Sequence, residues 1–550
     1  MKTQTLGVVM IVKNEEENLG RILSDIHGVV DEICIVDTGS QDGTISLAKS
    51  YGARIEHFPW CDDFSAARNH SIACAESDYL IWLDADDRIH ENDRQILADL
   101  KSRLQPQKDR AYMLKILSCS EDMPETISYQ TRIIPNREGV CFEGRVHEQV
   151  IPSLKRSGIT VEPVDITVRH VGYHDAAARL GKARRNLDIL MKELQAGKDS
   201  ATRCFFIAMA CIGVQDYEQC LTYLSRARQK RTDEDWQHYS YTVSTECLLQ
   251  LGRIREAYSE ITAGITSFPE SQLLHYYLGT VCMHEEHYAE AAAAFKRASV
   301  LKPLIDTYPI PPDLGITALL QQGKAFEKLG RYDHAIRVYE EAMVSGRDRK
   351  SLHGALGLAL LRVGKIDDSL NHLGMAKILS DAIDVPLWVS IARIHQHRGN
   401  HGDAHTLYLD VLHESPSSLN ALAGILDTSI ALDDIDTFLS ALEHLLILVE
   451  IPIPEAPIDS LAEYAELCKK TASRLRERGE STIALHLAET SLRLDPSCAG
   501  AHLLMADLYS DQGDASKVIS SLEMAAKSGA DGLEVSARIE KVRRAVDKTS

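Results

Sequence analysis

The stretch Tyr79–Asp86, which reads YLIWLDAD, indicates the fold of the first part of this chain. Its first five residues are apolar, and its end carries two aspartates, Asp84 and Asp86. A short apolar run predicts a buried strand, and carboxylates directly after it predict a charged site at the carboxyl end of that strand. Carboxylate oxygens suit Mg²⁺ or Mn²⁺, which commonly bind substrate phosphates as well. We therefore expect a divalent metal site here, although the same spacing alone is also typical of a solvated turn.

Two further apolar runs precede this strand, at residues 7–12 and 32–36. Polar residues follow both runs, at Lys13, Asn14, Glu15, Asp37 and Asp42. A helical stretch over 45–51 and a short strand over 53–58 come next, and a second helix opens within WCDDFSAARNH, which contains Arg68 and Asn69. Strands that alternate with helices predict an open parallel sheet, with a ligand crevice at the carboxyl ends of the strands.

Four motifs over residues 7–87 together resemble the nucleotide-sugar half of a family-two glycosyltransferase with the GT-A fold. In chain order they are VKNEE, VDTGS with a following Asp and Thr, DDFSAARN, and WLDAD. The order is closest to that of a bacterial branch in which this domain precedes tetratricopeptide repeats. That branch usually has Glu after the Asp-X-Asp pair, where this chain has Asp87. The resemblance implies an α/β, Rossmann-like GT-A domain, which we place at residues 1–180.

The resemblance also implies a reaction, the transfer of a sugar from a nucleoside-diphosphate sugar with Mn²⁺ or Mg²⁺. A UDP-sugar is the expected donor. Asp84 and Asp86 would hold the ion, with Asp86 in direct contact, and Asp37 would contact the base or ribose. The remaining donor-binding residues would be Lys13, Asn14, Glu15, Asp42, Arg68, Asn69 and Asp84. For Arg68 and Asn69 the alternative is a hydrogen-bond network at the start of a helix.

The acceptor side is predicted from two later segments, at residues 139–148 and 166–173, which resemble a second signature and the closing strand of the same branch. Inverting transfer needs a base for the acceptor. Glu148 is the first choice, and His147 is the competitor. His170 is the candidate for a late histidine ligand of the metal. The alternatives are an oriented His147–Glu148 pair in a loop and a strand-end histidine at His170.

The second half of the chain is predicted to be an all-α solenoid of tetratricopeptide repeats over residues 201–550, joined by a linking helix over 181–200. The unit at residues 275–303 carries the Leu-Gly, Ala, aromatic, Ala and Pro pattern of such repeats. Corresponding small residues, Ala335 and Ser369, lie 34 positions apart, whereas Ala291 and Ala335 lie 44 apart. An insertion is therefore expected near 303–313, and the C-terminal helix is expected to cap the array.

Such an array offers a long concave face that suits an extended peptide. We therefore expect a cytoplasmic enzyme that glycosylates a protein or peptide selected by the repeats. The alternatives are a cell-surface glycan or lipid-linked acceptor, and a scaffold with an inactive enzyme domain. For the repeats themselves, the alternatives are mutual stabilisation or a homodimer.

The composition of the chain argues against several classes of binding partner. The chain has 550 residues and a formal net charge of -20, which argues against nonspecific nucleic-acid binding and against a polybasic membrane anchor. Its 12 cysteines form no Cys-X-X-Cys pair, so reduced thiols are expected. No run approaches the roughly 18 apolar residues of a membrane span.

Overall fold

The computed structural model describes residues 4–120, 123–172, 176–230, 236–301, 308–344, 349–380, 383–453 and 460–549. The chain separates into two compact units, Met1–Arg347 and Asp348–Ser550. Unit 1 contains an α/β part and the first helices of the repeat array, and the described residues of unit 2 form helices alone. The α/β domain followed by a helical array is the fold class that the sequence predicts.

Within the described part of unit 1, eight strands form one sheet. They are β1 (Leu6–Val12), β2 (Glu32–Asp37), β3 (Arg54–His57), β4 (Tyr79–Trp82), β5 (Asp87–Ile89), β6 (Arg110–Ser120), β7 (Met123–Pro135) and β8 (Thr160–Val171). Their order in the sheet is β3-β2-β1-β4-β7-β6-β8-β5. Strands β1 to β4 are parallel, as predicted, whereas β7 runs antiparallel to both β4 and β6.

Short helices follow most of the strands. They are α1 (Glu16–Ile26), α2 (Thr44–Ser50), α3 (Phe64–Cys74), α4 (Glu91–Ser102) and α5 (Ile151–Arg156). In α1, Leu19, Ile22, Leu23 and Ile26 recur at helical spacing and are fully buried. They pack with apolar residues of β1 and β4 in one core, while α3 and α5 belong to a second core.

Unit 1 continues with nine helices of the described chain. They are α6 (Ala176–Gln195), α7 (Ala201–Gly213), α8 (Tyr217–Gln229), α9 (Trp236–Gln250), α10 (Ile254–Ser267), α11 (Gln272–His284), α12 (Tyr288–Val300), α13 (Leu314–Lys328) and α14 (Tyr332–Val344). Two pairs explain the repeat pattern, since a Cβ on Gly279 or Gly323 would lie within 3 Å of the ring of Phe295 or Tyr339. Glycine therefore lets each aromatic ring fill the space between paired helices.

One hydrophobic core crosses the boundary that the sequence predicts near residues 180–201. It contains Val146 of the α/β part, Ile189 of α6, and Phe205 of α7, with Phe64 packed against it. The core joins the predicted linking helix and the first repeat to the sheet domain, so the separation into compact units falls at 347/348 instead.

The predicted insertion also contacts the sheet. Residues 302–307 lie outside the described chain, but Ile310 forms an antiparallel bridge with Ile127 of β7. The two main-chain hydrogen bonds measure 2.7 and 2.9 Å. Tyr308 packs its ring on Phe205 and Tyr239, with centroid distances of 5.2 and 5.0 Å. A segment of the repeat array thus continues the sheet beside β7.

Unit 2 consists of helical pairs in its described residues. Its helices are α15 (Arg349–Arg362), α16 (Ile366–Ile378), α17 (Val385–His397), α18 (His401–Glu414), α19 (Leu419–Leu432), α20 (Ile435–Leu448), α21 (Leu461–Glu477), α22 (Ser481–Leu494), α23 (Ala499–Asp511), α24 (Ala515–Lys527) and α25 (Gly532–Thr549). The last helix, α25, packs Val535 against Val518 and Leu522 of α24. Across the described residues, no helix combines the length and apolarity that crossing a membrane requires.

Candidate active site

The carboxyl ends of β1, β2 and β4 meet at one edge of the sheet. Strand β1 lies between the other two, with Val12 opposite Asp37 and Val9 opposite Trp82. The loops that follow these three strands therefore lie side by side, as expected for the ligand crevice of an open parallel sheet.

The loops after β1 and β2 are cross-linked by short hydrogen bonds. Asn14 has a left-handed backbone (φ 56°), and its side-chain oxygen accepts from the Gln41 amide at 2.7 Å. Its own amide donates to the Ser40 hydroxyl at 2.9 Å. The amide of Glu15 donates to the Thr44 hydroxyl at 2.7 Å. Lys13 is exposed beside these loops.

The two predicted aspartates of the second loop have different surroundings. Asp37 is buried, and its carboxylate accepts from the amides of Gly39 and Ser40 at 3.1 Å each. Asp42 accepts from the hydroxyl and amide of Thr44 at the start of α2, and the hydroxyl bond lowers the pKa of Asp42. Asp37 therefore closes the turn after β2, and Asp42 holds Thr44, the first residue of α2.

The loop after β4 gathers acidic groups, which we call the acidic loop (Asp84–Asp87). Ligand atoms of Asp84, Asp86, Asp87 and His170 all lie within 4.8 Å of one another. Strand β5 pairs with β8 so that Asp87 lies opposite His170, which brings this histidine to the loop. Its Nδ1 lies 3.0 Å from Asp87 and 3.4 Å from Asp86. The structure thus brings together all three residues predicted to hold the metal.

Burial and charge set the protonation of this cluster in opposite directions. Burial raises the pKa of Asp86 to about 6. Burial alone would also raise the pKa of Asp84, but the charges of Arg68 and Arg132 outweigh it and lower that pKa. For His170, burial would lower the pKa, and the hydrogen bond to Asp87 with the neighbouring aspartates raises it instead.

Two buried arginines neutralise the acidic loop. Arg68 of α3 donates to Asp84 at 2.9 Å and to Glu148 at 2.6 Å. Arg132 of β7 lies 3.0 Å from Asp87 and 3.5 Å from Asp84. Both guanidinium groups contact the indole of Trp82, at 4.2 Å (Arg68) and 3.7 Å (Arg132) from its ring centroid.

Arg132 and Trp82 were not among the site residues predicted from the sequence. The available signal was a charged residue inside the apolar run at the end of β7, where burial requires an acidic partner.

Asn69 is also placed differently from its predicted role. It exchanges two hydrogen bonds, of 2.9 and 2.7 Å, with the main chain of Phe142, so it fastens the acceptor-side loop to α3.

The two candidate bases are neighbours with different surroundings. Glu148 is largely buried and is bound to Arg68. His147 is solvent-accessible, has a left-handed backbone (φ 55°), and stacks its ring on Phe206 of α7 at 4.7 Å. Surrounding protein, through desolvation, lowers the pKa of His147. Phe206 of the first repeat helix therefore holds the imidazole of His147 next in the chain to Glu148, which binds Arg68.

Comparisons with known proteins agree with this architecture. Residues 7–106 match the family described as "Glycosyl transferase family 2", and residues 248–303 and 318–352 match tetratricopeptide repeat families. A TPR repeat-containing protein of Synechococcus elongatus is 29% identical over 48% of this chain and 64% of its own length. The glycosyltransferase SunS of Bacillus subtilis is 25% identical over 46% of this chain and 60% of its own length.

Among solved structures, YrrB, a TPR protein described as having an unusual peptide-binding site, is 17% identical with a TM-score of 0.29. The match covers 34% of this chain and 91% of YrrB. The chain thus spans less than two thirds of the two curated relatives. It carries a family-2 glycosyltransferase domain followed by tetratricopeptide repeats, as its motifs predicted.

Proposed function

We propose that this chain is an inverting glycosyltransferase that moves a sugar from a nucleoside-diphosphate sugar to a protein or peptide acceptor. The observation that carries this proposal is the acidic loop, which meets His170 and Arg68 at the strand ends of a family-2 domain. Charged groups at this edge of an open sheet are where such folds bind phosphorylated ligands.

The donor set fits a divalent cation. Asp86 offers a carboxylate oxygen and His170 a ring nitrogen, and Asp84 can add Oδ2, whose contact to Arg132 is long at 3.5 Å. Carboxylates suit Mn²⁺ and Mg²⁺, and the imidazole favours Mn²⁺ of the two. A bound ion would neutralise charge on the departing diphosphate. Asp87 would support the site without binding the ion, since its hydrogen bond to His170 orients the imidazole ring.

The chain's own residues would divide the remaining work. Asp37 and the hydrogen-bonded loops after β1 and β2 would bind the nucleoside, with Lys13, Asn14 and Glu15 along their rim. Arg68 would orient Asp84 and reach toward phosphate oxygens, for which its fork of donors is suited. Asp42 would act indirectly by fixing the start of α2.

We choose between Glu148 and His147 as the catalytic base by the groups that each side chain contacts. Glu148 already accepts a charge-assisted hydrogen bond from Arg68, which holds its carboxylate. His147 is accessible, and desolvation favours the neutral form of its imidazole, so the ring can take the proton of the acceptor. We therefore propose His147 as the base and Glu148 as the residue that positions Arg68, which reverses the order predicted from the sequence.

The protein acceptor is proposed because the first helices of the repeat array belong to the same compact unit as the α/β domain. The first repeat contacts His147 directly, so a chain held by the repeats would lie beside the proposed base. The array's surface belongs to an acidic protein, which favours acceptors with neutral or basic flanks.

Donor hydrolysis tests the reaction. The purified full chain is incubated with a panel of nucleotide sugars, with and without Mn²⁺, and released nucleoside diphosphate is measured. We expect one donor to be hydrolysed only with metal, and Asp86→Asn to lose this activity. Glu138→Gln, an exposed change outside the crevice, is the matched control. No turnover and no nucleotide binding across the panel would refute the proposal.

A labelled donor tests the acceptor. The enzyme and donor are added to a cell extract, which is then separated into protein, lipid and glycan fractions. We expect label in protein, and loss of that label in His147→Ala with donor hydrolysis retained. Label in lipid or glycan instead would support the alternative acceptor class.

A further inference from the structure

A second group of metal-binding side chains lies between the edge strand β3 and the end of α3. Glu56 comes from β3, and His70 and Cys74 come from α3. One ligand atom of each lies within 4.8 Å of the other two, and all three residues are half-buried. None of them belongs to the acidic loop or to the loops assigned to the donor.

The spacing of the histidine and cysteine places both on one face of the helix. Residues four apart on a helix are neighbours, and His70 Nε2 lies 3.7 Å from Cys74 Sγ. A tetrahedral zinc ion, bound at about 2.3 Å to sulfur and about 2.0 Å to nitrogen, separates the two atoms by about 3.6 Å. The imidazole also packs against the Phe58 ring at 5.4 Å, which limits its rotation. The pair is therefore nearly in ligand geometry.

The chemistry of the group selects a different ion from that of the acidic loop. A thiolate, an imidazole and a carboxylate form a zinc-type set, whereas oxygen-rich sets suit Mg²⁺ and Mn²⁺. Cys74 is also the last residue of α3, where the negative end of the helix dipole favours a cation.

The surrounding charges leave Glu56 available. The neighbouring cation, Arg54, binds Glu32 at 3.0 Å and Glu76 at 2.9 Å. Burial raises the pKa of the Cys74 thiol, and the charge of Glu56 adds to this shift. Binding of a cation would therefore displace the thiol proton to solvent and leave a metal–sulfur bond.

We propose that Glu56, His70 and Cys74 form a second metal site that takes zinc or a similar borderline divalent cation, with water as the remaining ligand. The ion ties the end of α3 to β3. Because α3 also carries Arg68 and Asn69, the site stabilises the helix that supports the acidic loop. The proposal is independent of the proposed transferase activity.

Cobalt(II) tests the site because it reports sulfur ligation by colour. The full chain, freed of metal, is titrated with Co²⁺ under reducing conditions. We expect one equivalent to produce a thiolate-to-cobalt band in the near ultraviolet and the visible bands of a tetrahedral site. Zinc should then displace the cobalt and abolish both.

Variants assign the bands to these residues. Cys74→Ser should lose the thiolate band, and His70→Ala should lose the tetrahedral visible bands. Cys498→Ser, which changes another half-buried cysteine, and Asp86→Asn should retain both. Circular dichroism checks that each variant is folded, and Glu56→Gln provides a milder change that should weaken cobalt affinity. Absence of a thiolate band in the native chain, or its persistence in Cys74→Ser, would overturn the proposal.

Discussion

The side chain of Trp82 contacts both arginines that bind the acidic loop. Its indole makes a cation–π contact with the guanidinium group of Arg68 and with that of Arg132. The indole nitrogen also donates to the Thr131 carbonyl at 2.7 Å. Arg68 and Arg132 contact different carboxylate oxygens of Asp84, so that side chain is held in place by the protein itself.

Arg132→Met should destabilise unit 1 by about 3 kcal/mol, because it leaves the fully buried Asp87 without its permanently charged arginine partner. Urea unfolding followed by tryptophan fluorescence measures the change. Arg110→Met is the matched control, since it breaks an exposed ion pair with Glu162 and should cost no more than about 1 kcal/mol. Equal losses in the two variants would contradict the role of the buried pair.

Asp427 in unit 2 should make stability depend on pH. Its buried carboxylate lies 2.7 Å from both His486 and Arg493. Burial alone would raise its pKa, but these partners and Thr490 outweigh burial and lower it. The stabilisation is therefore complete above the pKa of an unfolded aspartate, about 3.9, and is lost as the pH falls through the lower folded-state pKa.

Asp427→Asn checks this sign. At pH 7 the variant should be less stable than the native chain by about 1–3 kcal/mol, because Arg493 and His486 lose a charged acceptor. The difference should shrink at acid pH, as followed by urea unfolding at several pH values. Asp368→Asn, an exposed change on α16, serves as the control. A difference that grows on acidification would contradict the assignment.

Among the strands and helices, those with a clear local pattern of apolar residues could be predicted from the sequence. Apolar runs identified β1, β2 and β4, and the residues after them lie at one edge, as expected. The three-residue strand β5 was missed because Asp87–Ile89 is too short to carry a period. Its pairing with β8 is what places His170 at the acidic loop, so that proximity could be inferred only from resemblance.

The insertion in the repeat array is a second case in which the local sequence does not reveal a long-range contact. Its length and prolines could be recognised, but its contact with β7 is a long-range pairing that no local pattern encodes. Likewise, Arg132 could be seen as a charge in a strand, while its partners Asp84 and Asp87 depend on the antiparallel pairing of β7 with β4.

Ile310→Pro should detach the insertion from the sheet, because proline has no amide hydrogen to donate to Ile127. We expect faster amide hydrogen exchange in β7 around Ile127 and a loss of about 1–3 kcal/mol. Ile310→Val keeps the amide and the apolar side chain, and its exchange should match the native chain. Unchanged exchange in the proline variant would show that the bridge does not hold this segment.

At the level of the molecule, unit 1 should behave as one folding unit. A fragment ending near residue 195 would expose the apolar residues Val146, Ile189 and Leu190, which the first repeat covers. We expect that fragment to aggregate or bind a hydrophobic dye, and a fragment of residues 1–347 to be monomeric and to bind nucleoside diphosphate with Mn²⁺ by calorimetry. A well-folded, binding-competent short fragment would show that the shared core is dispensable.

The bridge between Ile127 and Ile310 also determines when this part of unit 1 can fold during synthesis of the chain. The two residues are 183 positions apart, so a ribosome that adds about 5–20 residues per second delivers Ile310 about 10–40 s after Ile127. Through that interval β7 lacks this partner, and during its first half the apolar face at Val146 also lacks α7. The nascent chain is then most exposed to chaperones and to self-association, and a faster-translated message should shorten that window.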